Sequence, residues 1–403
     1  MSKVLLCFCS SLLCSIMMVY GQLKPLDDGD YIQQRAGLNQ AIKTFQERKK
    51  ATVAFLGGSI TYNPGWRDQV SKELQSRFPE TKFHFIAAGI PSLGSLPHSF
   101  RFKQDVLDSG KVDLLFLEAA VNDEANGTDS LTQIRALEGI IRHAKLQQPK
   151  MDIILMSFAD PDKTKTYNEG KIPVSVKNHE LVAAHYGLPS INLAKAVRDR
   201  LANQEFSWEK DFKDLHPSPF GQELYFKAIQ RLLNDAVALN IQSIKENKPL
   251  PKKMELPGAM ISGSFSKGHY MGIEKAKLLN GWSVTQDWKP EDGKSTRKGF
   301  VHIPMLCSTA AGSELSLDFV GNAFGISIVS GPDAGILNYS IDGGPEQQID
   351  LYTQWSKSLH LPWYLVLASN LKEGTHQVSM KISAAKNINS KGNACRIAYF
   401  LVN

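Results

Sequence analysis

Four stretches constrain this chain more than any others. "TVAFL" (residues 52–56), "KFHFIAAG" (82–89), "VDLLFLEAAV" (112–121) and "MDIILMSF" (151–158) are apolar runs of strand length. A strand that reads as a nearly continuous apolar run is buried on both faces, which is the signature of a parallel sheet covered on each side. The segments between them carry helical spacing: Leu38, Ile42 and Phe45 before the first run, then Trp66, Val70, Leu74 and Phe78 after it. Residues 175–187, 189–201 and 220–240 continue the alternation, the last as a long amphipathic helix. Strands alternating with helices predict an α/β domain over residues 22–247.

The texture changes at "IKENKPLPKKMELPG" (244–258), where prolines and lysines replace the periodic pattern; residues 248–257 read as a linker. Beyond it stand short strand-like pieces punctuated by glycine, among them "LSLDFVGNAFGISIVSG" and "CRIAYFLVN". Asp342-Gly343-Gly344 between alternating residues is a hairpin signal. This spacing predicts an all-β, jelly-roll-like sandwich over residues 258–403. Two domains suit a length of 403 residues.

The first 21 residues have a basic start at Lys3, an apolar core from Val4 to Met18 and a small residue, Gly21, at the cut. They read as an export signal, which predicts a secreted or periplasmic protein without stable membrane insertion. Cys7, Cys9 and Cys14 would leave with it, while Cys307 and Cys395 remain either to pair or to stay as buried thiols. The net charge of +6 is small for this length and Lys and Arg are scattered, so nucleic acid is not an expected partner.

Three polar positions fall at strand ends or just before a helix. "VAFLGGSITYNPGW" places Ser59 after the first strand, at the carboxyl edge where open α/β sheets bind ligands. It is not the Gly-x-Ser-x-Gly elbow, because Thr61 occupies the second glycine's place. A serine nucleophile needs a positioned base, and His216 in "FKDLHPSPFGQELY" stands in a loop before a helix with Asp214 two residues earlier. "LEAAVNDE" ends a strand on Asn122, whose amide is a donor of the kind that stabilises an oxyanion. "AAGIPSLGS" (87–95) closes the second strand with two glycines, so a backbone N–H there can serve as well.

Ser59 in "GGSIT", a glycine in "AGIPSLGS", Asn122 in "AVND" and His216 in "LHPSPFGQ" resemble, in this order, the four blocks of the SGNH (GDSL-like) hydrolases. The resemblance spans about residues 50 to 240. It implies a flavodoxin-like three-layer α/β/α fold, no cofactor, and an activity among esterases, lipases and carbohydrate deacetylases. Carried onto this chain, it makes Ser59 the nucleophile and His216 the base, with the Ser59 N–H, the Gly94 N–H and the Asn122 amide as oxyanion hole. The chain departs from the family pattern at three places. Lys213 stands where the acid usually does, three residues before the histidine, leaving Asp214, Asp211 or no acid as third member. Gly89 and Gly94 are widely spaced, and Ala120 replaces the glycine before the third-block asparagine.

Other chemistries fit poorly. No phosphate-binding Gly-x-x-x-x-Gly-Lys-Ser/Thr loop occurs, His179-Glu180 lacks a second histidine at zinc-protease spacing, and two remote cysteines make no zinc site. The expected function is therefore that of an exported serine esterase removing acyl groups, above all acetyl, from carbohydrate. A lipase or lysophospholipase and a non-catalytic glycan-binding protein on a retired hydrolase scaffold are the alternatives. An exported hydrolase with a β-sandwich resembles the polysaccharide-processing esterases. The aromatics at 350–367 (Tyr352, Trp355, Trp363, Tyr364) read as sandwich core or interdomain contact more than as a sugar-stacking surface. The stiff proline-rich junction and Trp282, Trp288, Trp355 and Trp363 predict a sandwich packed against the first domain.

Overall fold

The computed structural model describes residues 25–246 and 255–403, so the export signal read at 1–21 and most of the linker read at 248–257 lie outside the described residues. The first domain holds strands β1 (Ile32–Gln33), β2 (Lys50–Gly57), β3 (Lys82–Gly89), β4 (Leu114–Glu118), β5 (Asp152–Met156) and β6 (Ser190–Ile191). Its helices are α1 (Asn39–Glu47), α2 (Ser59–Tyr62), α3 (Trp66–Arg77), α4 (Ser95–Asp105), α5 (Ala120–Ala125), α6 (Ser130–Gln147), α7 (Pro161–Asn168), α8 (Val174–His185), α9 (Leu193–Ala202) and α10 (Pro219–Lys245). The sheet order is β1-β6-β5-β4-β2-β3, parallel throughout except for the short β1 on the β6 edge. Counting the parallel strands alone gives 2-1-3-4-5, the flavodoxin order, with its topological switch between β2 and β4. Ligands bind at such a switch, outside the carboxyl ends of the strands.

Period-two alternation along the central strands feeds two separate cores. Val53, Phe55, Leu114, Phe116 and Ile154 face α1, α3 and α10, where Phe55 stacks on Phe116 with ring centroids 5.1 Å apart. Ala54, Leu56, Leu115, Leu117 and Ile153 face Leu137, Ile140 and Ile141 of α6, and Val182 of α8. β3 is less apolar than its neighbours because it is an edge strand, and its first six residues are only partly covered.

The second domain is a sandwich of β7 (His269–Met271), β8 (Lys277–Asn280), β9 (Ser283–Thr285), β10 (Met305–Ser308), β11 (Glu314–Gly321), β12 (Phe324–Ser330), β13 (Ile336–Ile341), β14 (Gln347–Asp350), β15 (Leu361–Ala368), β16 (Gly374–Ile382) and β17 (Cys395–Val402). One antiparallel sheet runs β15-β12-β17-β10-β9 with β7 on β17, the other β14-β13-β16-β11-β8. Leu315, Leu317, Phe319, Val378 and Met380 of the second sheet pack against Phe324, Ile326 and Ile397 of the first. Cys307 and Cys395 are free thiols, although their strands pair.

The outer face of the first of these sheets is not left to solvent. Val329, Tyr364, Ala398 and Leu401, with Phe265 and Phe300, form one buried cluster with Leu93, Phe100 and Ala136 of the α/β domain. Gly139 makes this approach possible, since a β-carbon there would lie 2.7 Å from the Phe265 backbone. Glu138 on the same helix accepts the Met260 N–H at 2.5 Å, and Arg142 donates to the Pro257 carbonyl at 2.7 Å. Of the four tryptophans whose apolar area predicts a packed sandwich, Trp288 joins the cluster. Trp282 lies in the sandwich core, Trp363 packs against it, and Trp355 is 38% exposed. The rest of the seam is filled by Phe100, Phe265, Phe300, Tyr364 and smaller aliphatic side chains.

Candidate active site

β2 runs into two glycines because two side chains, one at the end of β4 and one on the helix that follows it, need the space. A β-carbon on Gly57 would sit 2.5 Å from Glu118 Oε1, and one on Gly58 would sit 2.0 Å from Asn122 Nδ2. With the glycines in place, Glu118 at the end of β4 accepts the Gly58 N–H at 2.6 Å and the Thr61 hydroxyl at 3.1 Å. The turn therefore delivers Ser59 to the sheet edge on a backbone held from beneath by a carboxylate.

His216 arrives from the other side. A single π-turn, Trp208–Phe212, stacks Trp208 on Phe212 at 4.6 Å, and Phe212 meets Tyr225 of α10 edge-on. Lys213 follows with φ of +77°, a left-handed conformation uncommon for a side-chain-bearing residue, and it redirects the loop. His216 Nε2 then lies 2.8 Å from Ser59 Oγ. Its Nδ1 faces Asp214 Oδ1 at 3.9 Å, longer than a hydrogen bond, and the same oxygen accepts the His216 N–H at 3.3 Å. Catalytic hydrogen bonds are commonly long in unliganded sites and tighten around substrate. Asp211 is turned away: it accepts the Ser207 N–H at 2.8 Å at the start of the π-turn. Of the two acids that the sequence leaves open, Asp214 is the one whose carboxylate faces the imidazole.

Gly94 precedes α4, and a β-carbon there would fall 2.3 Å from Asp123 Oδ1. That carboxylate accepts both the N–H (2.7 Å) and the hydroxyl (2.9 Å) of Ser95, which fixes the peptide next to Gly94. Gly89, by contrast, is packed on the Tyr62 backbone, 2.5 Å from where its β-carbon would be. Among the described residues neither the Gly94 N–H nor Asn122 Nδ2 donates to a protein acceptor. Both donors are unspent, beside a serine already bonded to a histidine.

Beneath them lies a buried charged layer. Burial pushes Glu118 and Asp123 up to about 7 each, and one carboxylate oxygen of each has no partner among the described residues. Lys163, fully buried, donates to Asp160 at 2.5 Å and lies 3.3 Å from Glu124. Arg101, also fully buried, ties the ends of β2 and β3 by donating to the Gly57 and Ala88 carbonyls at 3.2 and 2.7 Å. Sequence reasoning did not single out these residues. A glutamate at the end of the apolar run "VDLLFLE" was the available signal, because an ionisable group in a strand buried on both faces must have a task. Among the described residues no cluster of three or more His, Cys, Asp or Glu is placed to hold a metal ion.

Residues 55–224 match the GDSL-like lipase/acylhydrolase family. No protein of curated function matches the sequence. Two solved structures of a two-domain esterase (CEX) active on acetylated mannans, one co-crystallised with mannopentaose, are similar with TM-scores of 0.73 at 18% identity. The similarity covers 93% of this chain and 97% and 98% of those, so it includes both domains. An acetylxylan esterase from Geobacillus stearothermophilus is similar over 45% of this chain and 93% of its own, at 18% identity and a TM-score of 0.39.

Proposed function

We propose, from the match of residues 55–224 to the GDSL-like lipase/acylhydrolase family, that the protein is an exported serine esterase that removes acetyl groups from carbohydrate. The observation that carries the reading is the 2.8 Å contact of His216 Nε2 with Ser59 Oγ beside two unspent donors. Ser59 Oγ attacks the ester carbonyl as His216 Nε2 takes its proton. The Ser59 and Gly94 N–H groups and the Asn122 amide hold the oxyanion, and each such donor is worth roughly 3 to 4 kcal/mol in the transition state. Asp214 stabilises the imidazolium and keeps its ring oriented. The intermediate collapses, His216 hands its proton to the departing sugar hydroxyl, and an acetyl group remains on Ser59. Water, deprotonated by the same histidine, then releases acetate.

The sugar part of the reading has its own support. The sandwich packs on Leu93, next to Gly94, so a polymer that reaches Ser59 runs close to both domains. A protein of the same two-domain fold acts on acetylated mannans. The test is one panel assayed with purified protein: acetylated polysaccharides, short-chain aryl esters and long-chain esters. Hydrolysis of the acetylated polymers and of aryl acetate, falling with acyl length, is expected. Preference for long chains would make the protein a lipase, and silence on every ester would make it a binding protein.

A further inference from the structure

The loop between β9 and β10 brings a cation to the segment that carries Gly94. It is pinned by two aromatic side chains, Trp288 and Phe300, buried in the interdomain cluster. Backbone bonds hold it as well: His302 N–H to the Trp288 carbonyl at 2.7 Å, and Phe300 N–H to the Arg297 carbonyl at 3.0 Å. His360, itself buried, bonds Asp292 at 3.0 Å, and its N–H reaches the Ser295 carbonyl at 3.0 Å. Arg297 therefore projects from a fixed base. Its Nε and Nη2 both donate to the Ser92 hydroxyl, at 3.1 and 2.9 Å.

Ser92 lies two residues before Gly94, the candidate oxyanion donor, and its carbonyl accepts Asn126 Nδ2 at 2.9 Å, just beyond α5. Next to it Gln354, also from the sandwich, donates to the Ala125 carbonyl at 3.0 Å. Two residues of extended chain span at most about 7 Å. The guanidinium is thus one or two sugar rings from an acetyl carbonyl held at Gly94 and Asn122.

Arg297 is half-buried, and burial works against its charge without compensation. Among the described residues no carboxylate pairs with it, and a neutral hydroxyl is its side-chain partner. A guanidinium has five N–H donors, so most remain for a ligand, and its fork geometry matches a carboxylate. The surroundings have the same sign. Lys289, Lys294 and Lys298 share the loop, while of its three acids Asp287 pairs with His302 at 2.8 Å and Asp292 is engaged by His360 and by the Lys294 N–H.

We propose that Arg297 is a specificity residue that binds a sugar carboxylate, so that the preferred substrate is an acylated glycan containing uronic acid or another sugar acid. This rests on the esterase reading above for the placement of the acetyl group. It assigns the sandwich a direct part in substrate choice through one residue held on the loop that carries an oxyanion donor.

The experiment uses the full chain carrying Ser59→Ala, so that binding is read without turnover. Calorimetry measures affinity for oligosaccharides containing glucuronate or galacturonate and for neutral oligosaccharides of equal length. The acidic ligand should bind at least tenfold more tightly, and Ser59→Ala/Arg297→Met should erase that difference while Arg297→Lys keeps part of it. Equal affinities for acidic and neutral ligands, or a preference that survives Arg297→Met, would overturn the proposal. The second arm takes the protein with Ser59 intact and measures the ratio of kcat/KM on acetylated acidic fragments to that on acetylated neutral ones. A fall of tenfold or more in that ratio in Arg297→Met, carried by KM, is expected. If Arg297 only braces the Ser92 loop, both substrates lose equally, the ratio holds, and the proposal fails. Arg297-dependent binding by a protein that hydrolyses no ester would instead defeat the esterase reading alone.

Discussion

Replacing Glu118 by glutamine should flatten the dependence of stability on pH. Burial raises the Glu118 carboxyl from 4.5 to about 7, against the opposing pull of its bonds to Gly58 and Thr61 and the charges of Lys163 and Arg101. Because the folded pKa exceeds the unfolded one, the folded protein holds this proton over a range in which the unfolded chain has already released it. Stability is then highest below about 4.5, falls as pH rises through the window, and stays lowered above 7. At about 1.4 kcal/mol per tenfold, the rise amounts to about 3 kcal/mol. Asp123, raised to about 7 by burial, adds a loss of the same sign. Glutamine is neutral at every pH, and its amide oxygen can still accept the Gly58 N–H. Urea unfolding at pH 5 and pH 8.5 should show the wild type losing several kcal/mol between the two, and Glu118→Gln losing about 2 to 3 kcal/mol less. An identical pH difference in both proteins would refute the reasoning, because Glu118 would then titrate alike in the folded and unfolded states.

Three further outcomes follow from the geometry. Asn122→Ala should lower kcat by about a hundredfold or more with little change in KM, as expected for a donor used in the transition state, and a rise in KM alone would make it a binding residue. Asp214→Asn should cost several powers of ten in kcat while Asp211→Asn should leave kcat within a few-fold and remove about 1 kcal/mol of stability, the worth of a capping bond; the reverse order would place the catalytic acid at Asp211. Ending the chain at residue 246 should bare Phe100, Leu93 and Ala136, seen as dye binding and aggregation, whereas a monomeric fragment melting at the full-length temperature would show the sandwich to be an independent module.

Much of this architecture was legible because burial writes itself into periodicity. The continuous apolar runs of β2, β4 and β5 require helices on both faces, and Ser59, Asn122 and His216 lie just after a strand or just before a helix, where pattern changes are sharp. The third acid was not legible. Asp211 and Asp214 differ only by where the chain bends between them, and that bend depends on Lys213 adopting positive φ over a π-turn, for which sequence has no signature. The Gly57-Gly58 pair reads as an ordinary turn until Glu118 and Asn122 are seen to occupy the space of the missing β-carbons. The apolar area of four tryptophans predicts a packed sandwich without saying which of them line the seam. Which of them face it depends on strand register: Trp363 lies opposite Ile328, on the side of β15 turned to the sandwich core, and Tyr364 takes the other side. Arg297 gave no signal at all, since its relation to Ser92 exists only across two domains.

The central claim is that Ser59 is a nucleophile made reactive by His216. It is tested most directly by treating the full-length protein with a fluorophosphonate ester and locating the adduct by peptide mass spectrometry. A single adduct is expected on the peptide containing Ser59, absent in Ser59→Ala and formed at least a thousandfold more slowly in His216→Ala. Stoichiometric labelling of another residue, or a His216→Ala protein that reacts at the wild-type rate, would contradict the account.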